Sequence, residues 1–180
     1  MSFIEYNDLD EVVQQKYREI SQVRREFSNI IQLFKNSRFP REIVKGVSMI
    51  LDEVGDRPLI VRSSSLLEDR MGSAFSGKYR SLFLANQGTK QERVSALLDA
   101  MSEVYASVFG PDPIAYRRER GLLDFHEEMA ILIQEVVGTR LGAKLSLNYD
   151  TWKPHLAIED GRMALSLEDS DDVLLYDLAG

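Results

Sequence analysis

Apolar residues recur along the first part of the chain in steps of three and four. Leu9, Val12, Val13, Tyr17, Ile20, Val23, Phe27, Ile30, Ile31 and Phe34 form the set, which predicts one long amphipathic helix over residues 8–36. Asp8 and Glu11 have the spacing of a capping box, with Asp in place of the usual Ser or Thr. The stripe spans about four heptads, enough for a coiled-coil seam or for packing within the domain. Packing within the domain is the expectation, with Arg24 and Arg25 solvated. A second helix is predicted from Pro40 to Val54, with Ile43, Val44, Val47, Ile50, Leu51 and Val54 on its apolar face.

The period then changes. Leu59-Ile60-Val61 is a short apolar run expected to be a buried strand, and Arg62 stands at its predicted end. A polar segment rich in Ser and Gly follows, and Tyr79 to Leu84 alternates as a second strand does. The segment suits an anion: Ser63, Ser64 and Ser65 offer hydroxyls and backbone N–H groups, and Gly72 and Gly77 permit close backbone approach.

Thr89 and Glu92 have capping-box spacing, and the helix from Gln91 to Phe109 carries Val94, Leu97, Leu98, Met101, Val104, Tyr105, Val108 and Phe109 on one face. Gly110-Pro111-Asp112-Pro113 ends it, and a short basic helix is expected from Ile114 to Arg120. Its Arg117, Arg118 and Arg120 fit a solvated face, or else a phosphate or partner contact. Met129 to Val137 is a nearly continuous apolar run, expected to be a strand buried on both faces. Gly138 and Gly142 bracket a predicted turn. Short strands follow at Lys144–Tyr149, His155–Ile158 and Arg162–Leu167, with a hairpin turn at Glu159-Asp160-Gly161 and a last apolar piece at Val173–Tyr176.

Charge and composition narrow the function classes. The net charge of −7 is concentrated at the end: residues 150–180 hold eight acidic residues against Lys153 and Arg162, leaving −1 for the rest. No basic surface for nucleic acid is expected. No apolar run reaches the roughly 20 residues that span a bilayer, and the acidic N-terminus lacks a signal-peptide layout. With no cysteine, disulfides, thiolate metal sites and a cysteine nucleophile are absent. No membrane partner and a cytoplasmic location are expected. His126-Glu127-Glu128 has no second histidine in register for zinc, and His126 and His155 are read as structural. There is no G-x-S-x-G elbow, Walker A loop or G-x-G-x-x-G turn. No metal site is assigned.

One family does fit the motifs. VRSSSLLEDRMGSAFSGKYRSLFL resembles the N-terminal ATP-binding domain of phosphoenolpyruvate synthase and pyruvate phosphate dikinase, whose pattern is V-R-S-S-A-x-x-E-D followed by S-F-A-G-Q. Val61, Arg62, Ser63, Ser64, Glu68, Asp69, Phe75 and Gly77 fall in register. Ala106-Ser107-Val108-Phe109 with Ile114-Ala115-Tyr116-Arg117 resembles W-A-S-L-F … A-I-x-Y-R, and Met129 to Val137 resembles the strand leading into the adenine hinge.

The resemblance implies an α+β, ATP-grasp-like nucleotide-binding fold with ATP and Mg2+ as cofactors. It implies phosphate contact by Arg62, the residue expected to serve catalysis, aided by Ser63, Ser64 and Gly77. It also implies adenine contact by Gln134, Glu135, Val136 and Val137. A salt bridge from Arg62 to Glu68 or Asp69 is the structural alternative. The family's Gly-Gly-Lys-Gly segment has no counterpart. At the family's metal-binding end, the alignment sets His155, Leu167 and Asp169 where an acidic ligand, a glutamine and an arginine stand.

The expectation is therefore a shortened or incomplete version of the fold. It comprises an N-terminal amphipathic helix (1–39), a dikinase-type subdomain (40–140) and an acidic β-rich segment (141–180). As an enzyme it is expected to be a phosphotransferase that needs phosphohistidine and pyruvate-binding domains, or another subunit, as partners. The alternative is a regulatory or protein-interaction module that keeps the fold without a working ATP site.

Overall fold

The computed structural model describes residues 12–65, 67, 77–124, 128–136, 138–141, 144–147, 154–159, 162–167 and 173–176, the last five stretches as backbone. Helices α1 (Ile20–Asn36) and α2 (Arg41–Val54) lead into strand β1 (Leu59–Ser65). Strand β2 (Ser81–Leu84), helices α3 (Lys90–Ala106) and α4 (Pro111–Glu119) and strand β3 (Met129–Glu135) follow. The three strands form one antiparallel sheet in the order β2-β1-β3.

Helix α3 organises this part of the molecule, touching all three strands on one side and α1 and α2 on others. Its Thr89–Glu92 capping box forms as the spacing predicts. The preceding Gly88 has φ +95°, and an added Cβ would lie 2.8 Å from Glu92 Oε2, so glycine is required there twice over. The N–H and hydroxyl of Thr89 hold the Glu92 carboxyl below its ordinary pKa. We expect Thr89→Ala to cost about 1 kcal/mol, measured by urea unfolding.

The main core joins Val47 and Leu51 of α2, Leu59 and Val61 of β1, and Leu97, Ala100, Met101 and Val104 of α3. A second cluster packs Ile31 and Phe34 of α1 with Val12 and Ala106. The α1 stripe is thus spent within the domain, and Arg24 and Arg25 are exposed as expected. Small residues on α3 (Ala100, Ser102, Ala106) are buried as well, which an inventory of large apolar residues overlooks.

The single helix over 8–36 does not form. Residues 8–11 lie outside the described residues; a helical turn at 12–14 and a 3-10 turn at Gln15–Tyr17 end in extended backbone at Arg18, and α1 starts at Ile20. In one straight helix Val12 and Ile31 would stand roughly 28 Å apart; the break brings them into one cluster. The buried Gln15 amide donates to Val23 O at 3.4 Å, and Arg18 pairs with Glu26. The returning segment is anchored by Arg118, which donates to the carbonyls of Lys16 and Arg18, and by Asp124, which accepts from Tyr17 and Lys16.

Those contacts carry a pH signature. Tyr17, and then Lys16, hold the Asp124 carboxyl below its ordinary pKa. Burial opposes ionisation of Lys16, but its bonds to Asp124 and Tyr17 outweigh this and raise its pKa. A depressed carboxyl contributes stability above its unfolded pKa and loses it as pH falls through the folded value. Asp124→Asn is therefore expected to reduce the loss of stability below the ordinary carboxylate range, measured as urea midpoints against pH.

The basic helix begins earlier than predicted, at Pro111, because Pro fits a first turn where its missing N–H is not needed. Two of its three arginines turn inward, and only Arg120 is exposed as a solvated face requires. Arg117 is 4% exposed and donates to the carbonyls of Pro113 and Val108, Arg118 bridges to the N-terminal segment, and Arg120 lies 4.3 Å over the Tyr116 ring. We expect Arg117→Ala to destabilise the domain by roughly 2–3 kcal/mol, because buried carbonyls lose their donor; thermal unfolding reads this directly.

The remaining strands, β4 (Gly138–Leu141), β5 (Lys144–Leu147), β6 (Pro154–Glu159), β7 (Arg162–Leu167) and β8 (Val173–Tyr176), form a second antiparallel sheet in sequence order. Gly138 is a strand residue rather than one side of a turn, paired with Leu147. Glu159 pairs with Arg162, as expected for the hairpin between β6 and β7. Among the described residues no helix is long and apolar enough to cross a membrane.

Candidate functional site

Strand β1 runs through the serines. Its residues alternate inward (Leu59, Val61, Ser63, Ser65) and outward (Ile60, Arg62, Ser64), as a half-buried strand must. Arg62 is thus mid-strand, correcting the expectation that the strand ends there. Both the apolar run and the serines that follow it share one alternation, with serine small enough to sit on the packed side.

Residues directly opposite one another in an antiparallel pair share a face. Arg62 faces Ser81 of β2 and Leu132 of β3; Ile60 faces Phe83 and Gln134; Ser64 faces Ala130. This face is uncovered: Arg62, Ser64, Ser81, Ala130, Leu132 and Gln134 are all exposed, Leu132 by 42%. The expectation that β3 is buried on both faces is therefore overturned. Met129, Ile131 and Ile133 pack toward the core while the alternate residues face outward.

Among the described residues Arg62 has no hydrogen-bond or ion-pair partner, and Gln134 sits diagonally from it, about 7–8 Å away by sheet geometry. Ser63 is 5% exposed and on the packed side, so Ser64 is the serine that shares a face with Arg62. Gly77 takes φ +77° with open space around it. Gly72, Glu68, Asp69, His126 and Val137 lie outside the described residues, and so does the side chain of His155.

Among the described residues the Glu135 end of β3 lies at an outer edge of the three-stranded sheet. Val136 N–H donates to Pro58 O at 2.9 Å, so by antiparallel alternation the backbone N–H and C=O of Glu135 point to the free edge. The Glu135 carboxylate is engaged by Arg57 at 2.8 Å. Two polar anchors fix this geometry. Asn86 donates to Gly55 O at 2.9 Å and Arg57 O at 2.8 Å, clamping the entry to β1. Ser107 Oγ accepts Arg80 N–H at 3.2 Å, placing the entry to β2.

Sequence reasoning missed Ser81, Phe83, Ala130 and Leu132 as neighbours of Arg62. The alternation of Tyr79–Leu84 was the available signal, but the register that brings Leu132 opposite Arg62 is a property of the folded sheet. Among the described residues no group of three or more His, Asp or Glu could hold a metal ion.

An α+β domain with an exposed sheet face centred on an arginine that has no side-chain partner among the described residues is compatible with a nucleotide-binding domain. The family model of the pyruvate phosphate dikinase AMP/ATP-binding domain matches residues 1–160. The chain belongs to that family. It is also 26% identical over 130 residues to the rifampicin phosphotransferase of Bacillus subtilis (strain 168). That match covers 72% of this chain and 14% of the relative, so the chain spans a small part of the curated protein it resembles.

Proposed function

We propose that this chain is the ATP-binding part of a dikinase-type phosphotransferase, with an ATP-grasp-like arrangement in which the β2-β1-β3 face forms one wall of the site. The observation that carries this is Arg62, mid-strand on an uncovered face, on the same side as Gln134 and without a partner among the described residues. A forked guanidinium offers several N–H donors in a plane that matches phosphate oxygens. Arg62 is therefore assigned to the phosphates, with the Ser64 hydroxyl beside it and the backbone of Ser63 and Gly77 helping to enclose them.

The adenine is assigned to the free edge of β3. There the outward backbone groups of Glu135 and the segment through Val136 and Val137 supply hydrogen bonds and apolar contact, and Gln134 lies between base and phosphates. The described strand residues of this face include no carboxylate, and Glu135, on the opposite side across from Leu59, is held by Arg57. In this reading Mg2+ would accompany the nucleotide and would supply charge neutralisation at the phosphates. The second wall, the phosphoryl acceptor and the phosphohistidine and pyruvate-binding parts come from outside the three-stranded sheet. Full phosphotransfer by these residues alone is not expected.

Calorimetric titration of the folded protein with ATP and magnesium tests the proposal. Saturable binding is the expected result; no detectable heat at millimolar nucleotide would overturn it.

A further inference from the structure

We propose that a groove on the helical side of the domain binds a small amino-acid-like zwitterion with an apolar side chain. The groove holds about 300 Å³, at the small end of the range for ligand sites, and is lined by residues of α1, α2, α3 and the link between α1 and α2. None of its lining residues belongs to the three-stranded sheet.

Its charges select the ligand class. Lys35 lines the groove and pairs with Glu103 at 3.1 Å, a carboxylate it shares with Arg80, so it has a partner but is only partly neutralised. Arg38 and Asp99 line it too, both exposed, and among the described residues neither has an ion-pair or hydrogen-bond partner. The groove therefore presents one open cation and one open anion that do not satisfy each other. A simple anion would answer Arg38 and be repelled by Asp99, and a simple cation the reverse. A zwitterion complements both, with its carboxylate at the guanidinium and its ammonium at the carboxylate.

Ser102 adds an independent observation. It is 1% exposed and lines the groove, yet among the described residues its hydroxyl has no partner. The hydroxyl itself is not sealed off from solvent, so at the groove wall it can exchange water for a ligand donor or acceptor. Phe39 and Leu98 supply an apolar wall.

The test is amide NMR on the 15N-labelled full chain without nucleotide, using L-leucine and L-phenylalanine as probes. Two single-charge analogues, 4-methylpentanoate and 3-methylbutylamine, serve as controls. We expect saturable shifts at the amides of Asp99 and Ser102 with an amino acid, at least tenfold weaker binding of either analogue, and loss of the shifts in Arg38→Ala and Asp99→Ala. Both side chains are exposed and have no partner among the described residues, so both variants are expected to melt like the parent. The proposal is overturned if neither amino acid perturbs these amides at millimolar concentration. It is equally overturned if an analogue binds as well as leucine, or if both variants bind unchanged. Because no ATP is present, the result is independent of the nucleotide site.

Discussion

Replacing Arg62 with alanine is expected to weaken ATP binding by one to two orders of magnitude while leaving the fold intact. The size follows from the hydrogen bonds a guanidinium makes to a charged group, about 1.5–3 kcal/mol in net contribution. The selectivity follows from its setting: Arg62 is exposed, mid-strand and without a side-chain partner among the described residues, so its removal orphans no group among them. Its Cα pairing with Ser81 and Leu132 is a backbone property that alanine preserves. Stability is therefore expected to change by no more than about 0.5 kcal/mol. Arg62→Lys separates charge from geometry. It keeps the charge but loses the planar fork, and recovery of only part of the affinity is the expected outcome. Calorimetry with ATP and magnesium, alongside thermal unfolding, reads both quantities. A large drop in melting temperature would instead make Arg62 a structural residue, as a salt bridge to Glu68 or Asp69 requires.

The largest effect on stability is expected from Leu97→Ala. Leu97 is fully buried on α3 and belongs to the cluster that joins α2, α3 and β1. Truncation removes its transfer free energy and leaves a cavity that helix and sheet cannot collapse together, at a cost of about 2–5 kcal/mol. For a chain of this size that corresponds to a fall of roughly 10 °C in melting temperature. Because the same helix supports β1 from behind, the variant is also expected to bind ATP less well near its transition. At low temperature, with the protein still folded, affinity should return toward that of the parent. Thermal unfolding by circular dichroism, followed by calorimetry well below the midpoint, checks both parts.

Local patterns carried far in this sequence where one principle decided the outcome. The Thr89–Glu92 box and the helix behind it needed only capping chemistry and a 3.6-residue period, and both are present. Arg162–Leu167 matches its strand, because alternation and the preceding turn residues bound it, and the apolar piece Val173–Tyr176 is a strand as well. Local patterns failed where tertiary contacts compete with propensity. The apolar stripe over 8–36 is continuous, yet the chain breaks at Arg18 and Glu19 because Val12 gains more from Ile31 and Phe34 than from helix continuity.

Three arginines in four residues near the end of α4 look solvated in sequence. Arg118 is bound to backbone carbonyls about a hundred residues away, which no local pattern announces, and Arg117 turns back to the carbonyls of Pro113 and Val108. The apolar run at Met129 signals burial, but strand order leaves β3 at an edge with one face open. Of the candidate site, Arg62 and Gln134 were legible through the motif register. That they share one face, with Ser63 turned away and Leu132 between them, depends on pleat and pairing.

The central claim is that nucleotide lies on the open face of β1 and β3. Amide NMR of the 15N-labelled chain titrated with magnesium and a non-hydrolysable ATP analogue tests it most directly. The account predicts saturable shifts concentrated at Arg62, Ser64, Leu132, Gln134 and Glu135, with little change on α1. A folded sample whose sheet amides stay still at millimolar nucleotide, or whose shifts cluster on the helical side instead, would contradict it.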